Sequence, residues 1–110
     1  MIAAFSITPI GSGESVGAAV AEAVRLVRAS GLPNETNAMF TNVEGEWDEV
    51  MGLIHSCVEA VSAQAGRVSV VIKIDHRPGV AEGALAAKVA SVEEHLARGV
   101  SLSTHVARQR

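Results

Sequence analysis

The chain has 110 residues, of which 48% are apolar, so it has the size and composition of one domain with a single hydrophobic core. Aromatic residues make up only 3% and the formal net charge is −3, which argues against the stacking side chains and positive surface that bind nucleic acids. No apolar run approaches the roughly 20 residues of a membrane span, and the first ten residues show no signal-peptide pattern.

The N-terminal third of the chain predicts a strand followed by a helix. Residues 2–9 alternate between apolar and small or polar side chains, which indicates a strand closed by Pro9. A glycine- and serine-rich turn follows, in which Ser12 or Ser15 is the expected helix N-cap. Apolar residues at helical spacing then predict a helix that ends at Gly31. The two faces of the strand are Ala3, Phe5 and Ile7 on one side and Ala4, Ser6 and Thr8 on the other.

The middle of the chain is less regular and then becomes helical. Residues 35–45 have strand character around Met39–Val43, and Asn42 is interpreted as a tight turn or bulge between two short strands. Residues 46–65 predict a second helix with an acidic first turn and Gly66 at its end.

Residues 67–75 give the clearest strand pattern. The even positions are all apolar, whereas the odd positions are mostly polar or charged. One face therefore packs on a core, and the other carries Lys73 and Asp75, which need a partner, a ligand or water. A third helix after Gly79 is expected to stop at Gly99.

This order of elements predicts an α+β fold of the ferredoxin-like βαββαβ type with an added C-terminal helix. The expected domain covers residues 1–99 and contains a four-stranded antiparallel sheet with helices on one face. Residues 100–110 are expected to form a loosely held tail. The open sheet face mixes apolar and polar groups, so we expect a ligand or another subunit to cover it.

Most other motifs favour ordinary structural roles. The glycine spacing after the first strand is one residue too long for a dinucleotide-binding turn. The four histidines show no metal-ligand spacing, and His55 is expected beside Glu59 on a solvent-facing helix surface. Cys57 cannot form an internal disulfide, which suits a cytoplasmic location, and is expected to pack as a small hydrophobe. Lys88, Ser91 and His95 lie on one face of the third helix, which is either solvated or the rim of a ligand or subunit contact.

The charged residues at the end of the strand form the best candidate site, and they allow two interpretations. Lys73 and Asp75 either pair with each other or across a subunit interface, or Asp75 and Glu44 recognise a cationic or amino-bearing ligand. In the second case Ser6, Thr41 and Asn42 would complete the hydrogen bonds.

Four segments together resemble the thiamine-binding protein family over residues 2–98. They are Phe5-Ser-Ile-Thr-Pro-Ile-Gly11, Thr41-Asn-Val-Glu-Gly45, Val71-Ile-Lys-Ile-Asp-His-Arg77 and Lys88-Val-Ala-Ser-Val92. The resemblance implies a ferredoxin-like subunit that assembles face to face into dimers and commonly tetramers. It also implies binding of thiamine or its hydroxymethylpyrimidine half near subunit contacts, with no catalysis established for the family. The positions that match the family's motifs are Ser6, Thr41, Asn42, Glu44, Lys73, Asp75 and Arg77.

The resemblance leads to a hypothesis of a cytoplasmic homo-oligomer that binds thiamine or a pyrimidine precursor without converting it. No cofactor, metal, nucleic acid or membrane partner is expected. His76 departs from the family pattern, and only Met39, Phe40 or Trp47 could stack on a pyrimidine. Two alternatives remain open from the sequence: an assembly protein without a small-molecule ligand, and a thiamine-salvage enzyme that uses Lys73, Asp75 or a histidine as acid or base.

Overall fold

A computed structural model describes residues 1–11, 16–79 and 83–108 of the chain. The sheet is antiparallel throughout, with strand order β2-β3-β1-β4. This is the predicted ferredoxin-like arrangement with an added C-terminal helix. The elements in chain order are β1 (Ile2–Ile10), α1 (Val16–Ala29), β2 (Asn34–Thr36), β3 (Thr41–Glu44), α2 (Trp47–Ser62), β4 (Arg67–Asp75) and α3 (Ala84–Arg108).

The core lies between the sheet and the two helices α1 and α2. Ala3 and Phe5 of β1 are buried there, as the alternation of the first strand predicts. Cys57 of α2 is fully buried, and this burial raises the pKa of its thiol to about 11. The predicted role of Cys57 as a small hydrophobe is thus confirmed. The other buried core residues are Ala19, Ala23, Val27, Val43, Val50, Ile54 and Val61.

Local sequence signals account for two helix ends, the start of α2 and the end of α1. Glu46 and Glu49 form a capping box at the start of α2, in which the Glu46 backbone N–H donates to Glu49 Oε1 at 3.1 Å. Gly31 adopts a φ of +78° just after α1, a conformation that side-chain-bearing residues rarely adopt. The predicted N-caps of the first helix, Ser12 and Ser15, lie outside the described residues.

The turn between β2 and β3 differs from the sequence prediction. Asn42 lies within β3 and does not form the turn. Asn37 forms it instead, because its Oδ1 accepts hydrogen bonds from the backbone N–H groups of Met39 and Phe40, both at 2.9 Å. An asparagine that caps its own turn in this way satisfies the backbone groups that the turn leaves unpaired.

The third helix is also longer than predicted, since α3 continues through Gly99 to Arg108. One glycine inside a helix costs only about 1 kcal/mol relative to alanine, which does not by itself end a helix. Within the part of the chain that the structure describes, no helix is long and apolar enough to cross a membrane.

Candidate functional site

The strand register assigns six of the seven candidate residues to a face of the sheet; the seventh, Arg77, follows β4. Phe5 pairs with Thr41 on one side and with Ile72 on the other, so these three lie on the face that α1 and α2 cover. The opposite, open face carries the residues one position away. They are Ile2, Ala4, Ser6, Asn42, Glu44, Val71, Lys73 and Asp75.

Glu44 is a buried anchor for α3. Its side chain is 5% exposed, the only buried charged side chain among the described residues. Its two carboxylate oxygens accept hydrogen bonds from the backbone N–H groups of Gly83, at 3.0 Å, and Leu85, at 3.1 Å. These N–H groups open the first turn of α3, where the helix has no internal acceptors and a partial positive charge. The carboxylate thus caps α3 from a neighbouring strand.

Asp75 also forms an ion pair with a residue of α3. Its carboxylate pairs with the ammonium group of Lys88. This hydrogen bond, together with the charges of Lys88 and Arg77, lowers the pKa of Asp75. An open cleft of about 400 Å³ adjoins the pair and is lined by Ile2, Ala4, Lys73, Ile74, Asp75 and Lys88; we call it the sheet cleft.

These contacts change the chemistry expected of the open face. Both carboxylates that the sequence suggested for a cationic ligand, Glu44 and Asp75, already bind groups of α3. The sheet cleft is lined by two ammonium groups, those of Lys73 and Lys88, and by one carboxylate, that of Asp75. A cationic thiazolium gains little from such a surface.

The Asp75–Lys88 contact gives a direct pH prediction. An NMR titration should place the carboxyl midpoint of Asp75 below that of an ordinary aspartate, and Lys88→Met should return it toward the ordinary value. Because the folded-state pKa is lowered, the stabilisation by this pair is present above the unfolded pKa and is lost as the pH falls through the folded pKa. An unchanged midpoint in Lys88→Met would contradict the pairing; Lys73→Met serves as the matched control.

A second cavity lies on the face covered by α1, where β1 extends beyond the end of β3. Residues Ile2–Ile10 of β1 pair with β4 along their whole length, but β3 pairs only with Ile2–Phe5. From Ser6 onward, the β3-side edge of β1 has no strand partner among the described residues. The backbone C=O groups on this edge, and the N–H groups of its residues other than Pro9, therefore remain available as acceptors and donors.

We call this cavity the hairpin pocket, because α1 and the β2–β3 hairpin form its other walls. Its volume is about 230 Å³. The hydroxyl groups of Thr36 and Thr41 lie 3.4 Å apart on this wall, and Met39 is 74% exposed. The lining residues are Phe5, Ser6, Ile7, Thr8, Val20, Ala23, Val24, Val27 and Thr36–Thr41.

The hairpin pocket combines apolar walls with uncharged hydrogen-bonding groups. Its lining contains no acidic, basic, histidine or cysteine side chain. Small-molecule sites commonly have this composition, with an apolar enclosure and a few polar groups that fix orientation. The pocket thus suits a flat, uncharged ring with donors and acceptors on its edge.

The sequence-predicted site residues are divided between the two faces. Ser6 and Thr41 line the hairpin pocket, where Ser6 can contribute only its backbone because its side chain points to the open face. Asn42 lies on the open face between Glu35 and Ala4. The structure brings Lys73 and Asp75 together at the sheet cleft, whereas Arg77 follows β4 in an exposed loop.

The loop after β4 contacts the start of α2. The rings of His76 and Trp47 meet edge to face, with centroids 5.6 Å apart and an interplanar angle of 78°. Trp47 is 47% exposed and is not among the residues that line the hairpin pocket. His55 contacts Glu59 at 3.1 Å on an exposed face of α2, as predicted. No group of three metal-ligating side chains occurs within residues 1–11, 16–79 and 83–108.

Sequence reasoning missed the contribution of α1 and of the turn residues to a site. In the sequence, Val20 and Val24 belong to the apolar stripe of the first predicted helix. Asn37 belongs to the irregular segment 35–45. One signal was available: the middle strands are short, whereas the first strand pattern spans eight residues. A long strand beside a short one leaves an unpaired edge.

Comparison with known proteins gives a consistent family assignment. A model of the family described as "Thiamine-binding protein" matches residues 3–93. UPF0045 protein Mb1933 of Mycobacterium bovis is 58% identical over 99 residues, which are 89% of this chain and 96% of that protein.

Solved structures share the fold. The crystal structure of protein MJ1052 from Methanocaldococcus jannaschii has a TM-score of 0.74 at 32% identity and covers 84% of this chain and 95% of its own. A domain of unknown function, DUF77, from Bacillus cereus has a TM-score of 0.67 at 32% identity, over 72% of this chain and 77% of its own.

Proposed function

The chain belongs to the thiamine-binding protein family, and from this premise we propose that it binds thiamine, or the hydroxymethylpyrimidine half of thiamine, in the hairpin pocket. The observation that carries the proposal is the unpaired edge of β1 beyond Phe5. It presents backbone donors and acceptors inside an apolar cavity.

The chemistry of the pyrimidine half fits this edge. An aminopyrimidine carries an amino donor and ring-nitrogen acceptors in one plane, the pattern that a neighbouring strand would present to β1. The ring can lie between the turn residues Met39 and Phe40 and the valines of α1. The hydroxyl of Thr41 supports the same ring edge.

The size of the pocket favours the smaller half of the molecule. Pockets for drug-sized ligands are roughly 300–1,000 Å³, whereas the hairpin pocket is about 230 Å³. We therefore expect the pyrimidine to be enclosed and the cationic thiazolium to lie toward solvent. A diphosphate on the thiazolium side should add little affinity.

A binding role is favoured over a catalytic one by the pocket's own residues. Acid–base catalysis uses groups that titrate near the operating pH, and the lining side chains are apolar residues, hydroxyls and one amide. We propose that the protein holds its ligand without converting it, as a cytoplasmic homo-oligomer. Intact ligand after prolonged incubation with the protein, checked by mass spectrometry, is the expected result; turnover would contradict this part.

The direct test is isothermal titration calorimetry with thiamine, thiamine diphosphate and hydroxymethylpyrimidine in parallel. We expect saturable binding of one ligand per chain, with thiamine and its diphosphate bound about equally. Thr41→Val should weaken binding roughly 5-fold, the cost of about 1 kcal/mol for one hydrogen bond.

Thr8→Val is the matched control, because Thr8 contributes only its backbone to the hairpin pocket and its side chain points to the open face. Equal affinities in the two variants would place the ligand elsewhere. No heat with any of the three compounds would overturn the thiamine proposal.

A further inference from the structure

Met39 is an exposed methionine at the mouth of the hairpin pocket. Its side chain is 74% exposed, more than that of any other large apolar residue among the described ones, and it belongs to the pocket lining. The other two methionines, Met1 and Met51, are only partly exposed and pack against the hydrophobic core. A thioether in contact with water is the more readily oxidised one. The methionine with the most accessible sulfur therefore lies where a ligand would enter.

We propose that Met39 is a site of reversible oxidation by hydrogen peroxide, and that its sulfoxide form binds the ligand of the hairpin pocket more weakly. The first half of this inference concerns the chain alone. The second half rests on the proposed function, because it concerns the ligand of the same pocket. The protein would then release its ligand when peroxide accumulates.

The reaction transfers one oxygen atom and two electrons. The thioether sulfur attacks one oxygen of the peroxide, so that a sulfur–oxygen bond forms and the oxygen–oxygen bond breaks. The second oxygen takes the proton of the transferred hydroxyl and leaves as water; sulfur is oxidised and peroxide is reduced. Methionine sulfoxide reductases reverse the change, since two thiols form a disulfide and the sulfoxide oxygen leaves as water.

Cys57 does not divert the oxidant. Peroxide reacts with a thiolate and not with a neutral thiol. The Cys57 side chain is fully buried, and this burial raises the pKa of its thiol to about 11, so thiolate is scarce near neutral pH. Peroxide is therefore expected to oxidise Met39 and to spare the cysteine of the core.

The turn between β2 and β3 keeps Met39 in this place. The backbone N–H groups of Met39 and Phe40 both donate to Asn37 Oδ1 at 2.9 Å. The backbone N–H group of Asn37 donates in turn to the carbonyl oxygen of Phe40, also at 2.9 Å. The main chain of Met39 thus cannot move toward the core unless these hydrogen bonds break.

Oxidation changes the surface that Met39 offers to a ligand. The thioether is apolar and polarisable, and it packs well against a ring. The sulfoxide is polar, and its oxygen accepts hydrogen bonds from water. The backbone N–H groups of Met39 and Phe40 cannot replace this water, because both are already donated to Asn37. A ring that packs on the oxidised side chain must remove water from the sulfoxide, which lowers the affinity.

Peptide mass spectrometry tests the site of oxidation. Folded protein is treated with dilute hydrogen peroxide, the reaction is stopped with catalase, and the gain of one oxygen atom at each methionine is followed over time. Met39 should be oxidised roughly 5-fold faster than Met51, the partly covered methionine of α2. In urea-unfolded protein the two rates should become similar, because the two exposures no longer differ. Equal rates in folded protein, or faster oxidation of Met51, would overturn the proposal.

Calorimetry with hydroxymethylpyrimidine tests the effect on the ligand. Protein oxidised at Met39 should bind this compound roughly 10-fold more weakly than untreated protein, the upper end of what a sulfur–ring contact contributes. Circular dichroism checks that the oxidised protein stays folded. Treatment with both methionine sulfoxide reductases, one for each sulfoxide epimer, should restore the affinity. A loss of affinity that the reductases do not reverse would contradict a reversible oxidation.

Two variants separate Met39 from other targets of peroxide. Met39→Leu has no sulfur at this position, so its affinity should be the same before and after treatment, whatever its starting value. Met51→Leu, altered at a residue that does not line the hairpin pocket, should lose affinity on treatment as the wild type does. A peroxide effect that persists in Met39→Leu would show that another residue is responsible.

This proposal and the thiamine proposal can fail separately. Equal heats from untreated and oxidised protein would keep the thiamine proposal and overturn the effect of oxidation. No heat from untreated protein would overturn the thiamine proposal and, with it, the effect on the ligand. The order in which the methionines are oxidised would still decide whether Met39 is the site.

Discussion

Replacing Val20 by tryptophan is expected to lower the affinity for thiamine and hydroxymethylpyrimidine at least 100-fold. Val20 lies on α1, lines the hairpin pocket and is 38% exposed, so a larger side chain can enter the pocket mouth without displacing the core. An indole that enters this cavity of about 230 Å³ takes the space that the ligand ring would need. Binding would then require expelling it, which costs more than the roughly 2.7 kcal/mol that a 100-fold change represents.

Ala21→Trp is the matched control for this variant. Ala21 is the next residue of α1, is exposed and does not line the pocket. Calorimetry with each variant and with the wild type gives the comparison, and circular dichroism checks that α1 is retained. Unchanged binding by Val20→Trp, with a normal helical spectrum, would show that the ligand does not use the hairpin pocket.

Glu44→Ala is expected to destabilise the attachment of the start of α3 to the sheet by about 2 kcal/mol. The substitution leaves the backbone N–H groups of Gly83 and Leu85 without their acceptor, and hydrogen bonds to a charged group contribute more than neutral ones. Hydrogen exchange at these two amides should accelerate roughly 30-fold, the factor that corresponds to this free energy.

Two further variants calibrate that result. Glu44→Gln keeps one acceptor oxygen and should give an intermediate acceleration, since the amide lacks the charge. Glu35→Ala, at an exposed position of β2, should leave the exchange of both amides unchanged. If Glu44→Ala exchanges like the wild type, another group caps the helix.

Alternation and helical periodicity were sufficient to predict the fold. The strand formed by residues 67–75 follows the period of two over its full length, and its register with β1 confirms which side chains share a face. The helix that ends before Gly31 and the acidic capping box of α2 follow from local chemistry that is visible in the sequence. Such signals depend only on residues that are close together in the sequence, so helix ends can be predicted from a single sequence.

The candidate site could not be predicted as completely, because it depends on contacts between distant residues. The sequence suggested Lys73, a partner subunit or a ligand as the partner of Asp75, and a ligand as the partner of Glu44. Nothing local shows that residues 83–88 fold back onto these two carboxylates. Thr41 and Asn42 read as one group, although neighbouring residues of a strand point to opposite faces. Only the pairing of β1 with β3, which stops at Phe5, reveals where an edge is left open.

The contact between Trp47 and His76 provides a built-in optical reporter. Trp47 is the only tryptophan of the chain, and it contacts His76. His76 immediately follows Asp75, which pairs with Lys88 of α3. Emission from this indole therefore senses the end of β4 and comes from no other place in the molecule. Undocking of the long helix from the end of β4 can be followed by the intensity of this emission without attaching any dye.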